Sequence, residues 1–91
     1  MSQTSRDVTI SNRKGLHARA SMVFVTMATS QPVPVTVTKG CRSAPGTSIM
    51  SLLMLGAATG ETITISADGP GAEEAVNALV ELVETKFGES D

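Results

Sequence analysis

The chain holds one histidine, His17, inside the run Gly15-Leu16-His17-Ala18-Arg19. A neutral imidazole is nucleophilic near pH 7, its unperturbed pKa being about 6.5. It can attack a phosphoryl donor, carry the group as a phosphoramidate and surrender it to another acceptor. Catalysis of such transfer is mostly positioning and electrostatics, and the neighbours of His17 bear on both. The apolar period that marks a helix begins here, and a helix start offers unpaired N–H groups and a positive dipole end to an anion. Ala18 supplies one such amide. Arg19 adds a forked guanidinium matched to phosphate oxygens. Gly15 permits a tight turn before the histidine and carries no Cβ to obstruct a partner. Each residue also has a plainer role alone: a surface histidine or weak cap, a turn glycine, a solvent-facing arginine.

Ser48 is the second candidate. A hydroxyl there would cap the short apolar helix that follows. A phosphate at the same place would gain from the helix dipole and set up to two negative charges beside Ile49, Met50 and Leu53. Residues 49–55 are apolar nearly all round, so part of them serves the core and part can form an exposed docking patch. Other chemistries find less support. His17 lacks the second histidine or cysteine cluster of a metal site. Pairing with Cys41, the sole cysteine, is open by spacing but has nothing else behind it. There is no GxxxxGK[ST] or GxSxG motif.

These residues must be held by a chain of 91 residues, the size of one domain spanning positions 1–91. No Trp or Tyr occurs and only two Phe, which leaves almost no stacking surface for bases and argues against nucleic-acid binding. No apolar run approaches membrane-spanning length, and the polar first residues lack a signal peptide's apolar centre. A cytoplasmic protein without disulfides is expected. The net charge of −2 conceals a gradient. Arg6, Arg13, Lys14, Arg19, Lys39 and Arg42 face only Asp7 in residues 1–42, whereas residues 71–91 are acidic apart from Lys86. The basic half could be a solvated face, or could steer acidic partners and phosphate toward His17.

Alternation of polar and apolar residues predicts strands at 6–11, 33–38 and 61–67, with a short one near 41–42. Pro34 suggests an edge position for the second, and Ala44-Pro45-Gly46 a turn. From Leu16 the period is helical, with Leu16, Ala20, Val23, Phe24, Met27 and Ala28 on one face. A short helix at 49–55 is closed by Gly56. A last helix turns Ala72, Ala75, Val76, Leu79, Val83 and Phe87 inward, with Lys86 in its final turn and Gly88 as its stop. The order β-α-β-β-α-β-α fits an α+β fold, one antiparallel sheet covered on one face by helices.

Gly15-Leu16-His17-Ala18-Arg19, together with Ser48-Ile49-Met50 and the later TITISADG at 62–69, resembles the HPr family. These are histidine-containing phosphocarriers of the bacterial phosphotransferase system, and the likeness runs from about Val8 to Phe87. The resemblance implies an open-faced β-sandwich of four antiparallel strands and three helices on one side. It implies that His17 takes phosphate on Nδ1 from enzyme I and yields it to an enzyme IIA domain, with Arg19 assisting. Ser48 matches the regulatory serine modified by HPr kinase/phosphorylase in some bacteria. Ile49, Met50 and Leu53 match the patch that docks enzyme I and enzyme IIA. No cofactor is implied, and a monomer suits docking to successive partners. Ala20 stands where many sugar-system members have proline, a change that helix initiation tolerates. The 44–47 loop and residues 51–55 look closer to proteobacterial variants, including the nitrogen-related NPr branch. The chain thus reads as a phosphoryl relay for sugar uptake or nitrogen and regulatory signalling. The rivals are a regulatory interaction module acting mainly through Ser48 and a small-ligand-binding α/β module.

Overall fold

The computed structural model describes residues 3–89. Four strands form one antiparallel sheet: β1 (Gln3–Thr9), β2 (Val35–Lys39), β3 (Arg42–Pro45) and β4 (Thr62–Asp68), in the spatial order β1-β4-β2-β3. Three helices complete it: α1 (Ala18–Thr29), α2 (Ile49–Leu55) and α3 (Ala72–Glu84). A single 3-10 turn, Lys86–Gly88, follows α3. This is the open-faced arrangement expected from the pattern, and none of the helices among the described residues is long and apolar enough to cross a membrane.

The sheet is built on the two-residue period of β4. Ile63, Ile65 and Ala67 are buried, while Thr62 and Asp68 are exposed and Thr64 and Ser66 half-buried. As the central partner, β4 pairs with β1 from Gln3↔Asp68 to Thr9↔Thr62 and with β2 from Val35↔Ala67 to Thr38↔Thr64. The open side is hydroxyl-rich and internally bonded, Thr64 donating to Asp7 at 2.7 Å. The buried side chains of the sheet and those of the helices, including Phe24, Leu52 and Leu79, form one core.

Several boundaries differ from the expectations for physical reasons. The first strand runs Gln3–Thr9 rather than 6–11, because the chain leaves the ladder after Thr9 to form the loop before His17. Ile10 stays buried and is still tied to the segment before β4, its N–H donating to the Glu61 carbonyl at 2.9 Å. Pro34 lies just outside β2, and β2 is interior. Edge positions belong to β1 and β3. Ala44 and Pro45 end β3 instead of forming a turn, a place proline tolerates since an edge strand has a free side. The last helix ends at Glu84, so Lys86 and Phe87 belong to the 3-10 turn. Phe87 nonetheless points inward, as the stripe predicted.

Candidate functional site

α1 begins two residues later than its apolar stripe, and that offset sets the site. His17 is its N-cap, with extended backbone angles of φ −79° and ψ −176°. Its Nδ1 accepts a hydrogen bond from the Arg19 backbone N–H at 3.2 Å. An N–H can only donate, so Nδ1 is unprotonated and its lone pair faces the helix start. On the other side of the ring, Nε2 lies 2.6 Å from Glu89 Oε2. The two contacts together define one neutral tautomer, with Nε2–H donating to the carboxylate. The His17 side chain remains 26% exposed, enough for a reactant to reach it.

An open cleft of about 640 Å³ surrounds the imidazole, lined by Arg13, Lys14, His17 and Arg19 and, from the C-terminal segment, Phe87, Gly88 and Glu89. Three cations beside a helix start make it suited to an anion. Ala18 and Arg19 are the first two helical residues and both are exposed, so their amides lie in the turn that lacks helical acceptors. Only part of the basic half gathers here. Lys39 donates to the carbonyls of Leu55 and Gly56, at 3.3 and 3.2 Å, and Arg42 donates to that of Met54 at 3.3 Å. These two close the C-terminal end of α2, and Arg6 donates to Asn77 on α3 at 2.6 Å.

Gly15 works differently from the expectation. Its φ of +67° does require a residue without strain in the left-handed region. The glycine is buried, however, and a Cβ would meet the Ala57 carbonyl oxygen at 2.7 Å and Ala58 Cα at 2.9 Å. The missing side chain therefore admits the protein's own loop after α2, not a partner. Leu16 N–H, bonded to the Ala57 carbonyl at 2.9 Å, completes that seam.

Ser48 lies on a separate element, the N-cap of α2. Its Oγ accepts from the Ser51 N–H at 3.2 Å and donates to Ser51 Oγ at 3.0 Å. Beyond it Ile49, Met50 and Leu53 are exposed, at 39%, 68% and 36%. Met54 on α2 and Met22 on α1, which packs against α2, are exposed apolar side chains as well. Met54 carried the same apolar signal as its neighbours, but a helix apolar on every side does not announce which side stays outside. Cys41 sits in the β2–β3 turn and does not line the cleft.

Two residues of the site escape any reading of local pattern. Glu89 is 72 positions from the histidine it touches and reads as one more acid in an acidic tail. Asn12, fully buried, donates from Nδ2 to the Gly15 carbonyl at 2.7 Å and to Glu89 Oε1 at 3.1 Å. An asparagine before a glycine turn is the only sequence signal it gives.

The chain is similar to known proteins along most of its length. The PTS-HPr family, described as the PTS HPr component phosphorylation site, matches residues 4–85. The chain is 41% identical over 86 residues to the phosphocarrier protein HPr of Cupriavidus necator, covering 94% of this chain and 97% of that one. It is 38% identical to the phosphocarrier protein NPr of Shewanella violacea, covering 99% of each. Among solved structures, HPr-C-His from Thermoanaerobacter tengcongensis superposes with a TM-score of 0.88 at 37% identity, covering 100% of both chains.

Proposed function

The chain belongs to the HPr family of phosphotransferase-system phosphocarriers, and from that premise we propose that His17 is its phosphoryl acceptor. In this reading the Nδ1 lone pair attacks the phosphoryl group carried by enzyme I. Arg19 and the first amides of α1, that of Ala18 among them, hold the phosphoryl oxygens. The group then passes to an enzyme IIA domain, in sugar uptake or in nitrogen and regulatory signalling. The relay acts stoichiometrically, in the cytoplasm, and needs no cofactor. A monomer suits it, since each partner must reach the same cleft in turn.

The observation that carries this reading is the direction of Nδ1: unprotonated, aimed at the start of α1, in a cleft lined by Arg13, Lys14 and Arg19. The Arg19 N–H that now bonds the lone pair is released when that pair bonds phosphorus, and can turn to a phosphoryl oxygen. The exposed residues Ile49, Met50 and Leu53 are the proposed docking patch for enzyme I and enzyme IIA, extended by Met22 and Met54. Ser48 is proposed as a regulatory site for an HPr kinase/phosphorylase. A phosphate there would stand at the edge of that patch, adding charge where an apolar partner must be desolvated. The alternative, a regulatory module acting mainly through Ser48, would leave His17 without phosphate.

Incubation with phosphoenolpyruvate and enzyme I tests the choice. Acid-labile, base-stable phosphate should appear on the wild type, vanish in His17→Ala and persist in Ser48→Ala. No label under conditions that charge a control carrier, or label surviving the loss of His17, would reject the relay.

A further inference from the structure

The segment after α3 is conformationally costly. Lys86 and Phe87 have φ of 60° and 56° and are, among the described residues, the only non-glycine residues with positive φ. A left-handed conformation costs a residue with a Cβ roughly 1–2 kcal/mol, so two in succession need compensation. Phe87 supplies some of it as a buried anchor. Gly88 N–H to the Thr85 carbonyl, at 3.0 Å, and Glu89 N–H to that of Lys86, at 2.9 Å, close the turn. The result is a strap, residues 86–89, that folds back over the cleft and delivers Glu89 to Nε2 of His17.

Asn12 holds the far oxygen of that carboxylate. Reversing its amide would face Oδ1 toward two oxygen acceptors, the Gly15 carbonyl and Glu89, so its orientation is fixed. The orientation is kept although Oδ1 is buried with no partner among the described residues, a situation that usually costs on the order of 1–3 kcal/mol. Glu89 is itself largely shielded, its side chain 18% exposed, and is the one acid among the described residues that line the cleft. The family match ends at residue 85, and the strap's contact is read from the distances in this chain.

We propose that residues 86–89, with Asn12, are a positioning strap that holds the Nε2 proton of His17 on Glu89 through both halves of the transfer cycle. The proposal rests on His17 being the acceptor. In acceptance, the Nδ1 lone pair forms the new bond to phosphorus while the donor's bond to phosphorus breaks and its electron pair stays with the donor. No proton moves. The ring becomes cationic with Nε2–H still on the carboxylate, which neutralises it. In delivery, the P–Nδ1 pair returns to Nδ1 as phosphorus bonds the next acceptor, and the ring is again the neutral Nε2–H tautomer. Arg13, Lys14 and Arg19 line the same cleft and Lys86 belongs to the strap. Glu89 therefore separates two tasks: cations for the phosphoryl group, one carboxylate for the ring.

Because His17 is the only histidine, its ring nitrogens can be followed without assignment ambiguity by long-range ¹H–¹⁵N correlation. The unphosphorylated wild type should show the pure Nε2–H tautomer at alkaline pH. Glu89→Ala should move both ring nitrogens toward a mixture of tautomers. It should also slow phosphoryl acceptance from phosphorylated enzyme I by about tenfold, in kcat rather than KM, the scale on which orienting partners act. Glu89→Gln keeps an acceptor for Nε2–H but turns its NH2 toward the Asn12 donor, so its tautomer preference and rate should fall between those of the wild type and Glu89→Ala. A wild-type tautomer and rate in Glu89→Ala, or a loss confined to KM, would overturn the strap. The tautomer is read without phosphate, so failure of the wild type to accept any label would reject the relay separately.

Discussion

The histidine chemistry proposed for this chain depends on a residue that does not line the cleft. Gly15 sets the path by which the chain enters α1, and its Cβ position is filled by backbone atoms of Ala57 and Ala58. Neither is the end of a flexible side chain, so the loop cannot yield cheaply. Gly15→Ala would combine left-handed strain, on the order of 1–2 kcal/mol, with a contact that pushes the loop after α2 away from Leu16. The expected destabilisation is roughly 2–4 kcal/mol, in the upper range for single substitutions. Urea unfolding monitored by circular dichroism measures it, and a loss below about 1 kcal/mol would show that the loop accommodates the methyl. Position 15 is thus where the geometry of the proposed site and stability coincide.

At the scale of elements, α2 divides its residues between two demands. Leu52 and Leu55 are buried, while Ile49, Met50, Leu53 and Met54 are exposed. This exposed apolar surface is the one the proposed docking would cover. Ile49→Glu should leave the melting midpoint nearly unchanged, since the side chain is already at the surface. It should raise KM for transfer with enzyme I by about tenfold, equivalent to about 1.4 kcal/mol; unchanged transfer would remove α2 from the docking surface. The elements themselves were legible because periodicity is local: Ile63, Ile65 and Ala67 declare a strand, and Ala72, Ala75, Val76 and Leu79 a helix. Strand order was less so. Pro34 drew attention to β2 as an edge, but its ring lies before the strand, and the true edge strand ends in Pro45. Of the candidate functional residues, His17, Arg19 and Ser48 were visible through helix-start chemistry and family likeness. Glu89 and Asn12 were not, since their contacts follow from the backbone turn at Lys86 and Phe87, which no period encodes.

For the whole molecule, charge distribution matters more than net charge. The basic half divides between an open cleft, lined by Arg13, Lys14 and Arg19, and a structural clamp at Lys39. Lys39 joins β2 to the end of α2 and pairs with Glu61 at 3.0 Å. Glu61 in turn accepts from the Ala58 N–H at 2.8 Å. It therefore ties down the loop on which Gly15 and Leu16 rest. The Ala58 hydrogen bond first, and the Lys39 ammonium second, hold its carboxyl below the ordinary glutamate value of 4.5. A carboxyl whose folded pKa is depressed favours the folded state when ionised, because the unfolded chain binds the proton more readily. The contribution is therefore complete above pH 4.5, declines as pH falls below that value, and is gone below the lower folded pKa. Glu61→Gln should melt below the wild type at pH 7, and the difference should close as the pH is taken through that acid window. Lys39→Met should lower stability at pH 7 and shift the window upward toward the ordinary value, because one cause of the depression is lost while the Ala58 bond remains. Melting curves of the three proteins at matched ionic strength between pH 2 and 7 measure both effects. A wild-type–to–Glu61→Gln gap that stays constant across that range would mean the clamp holds the loop by shape and not by charge.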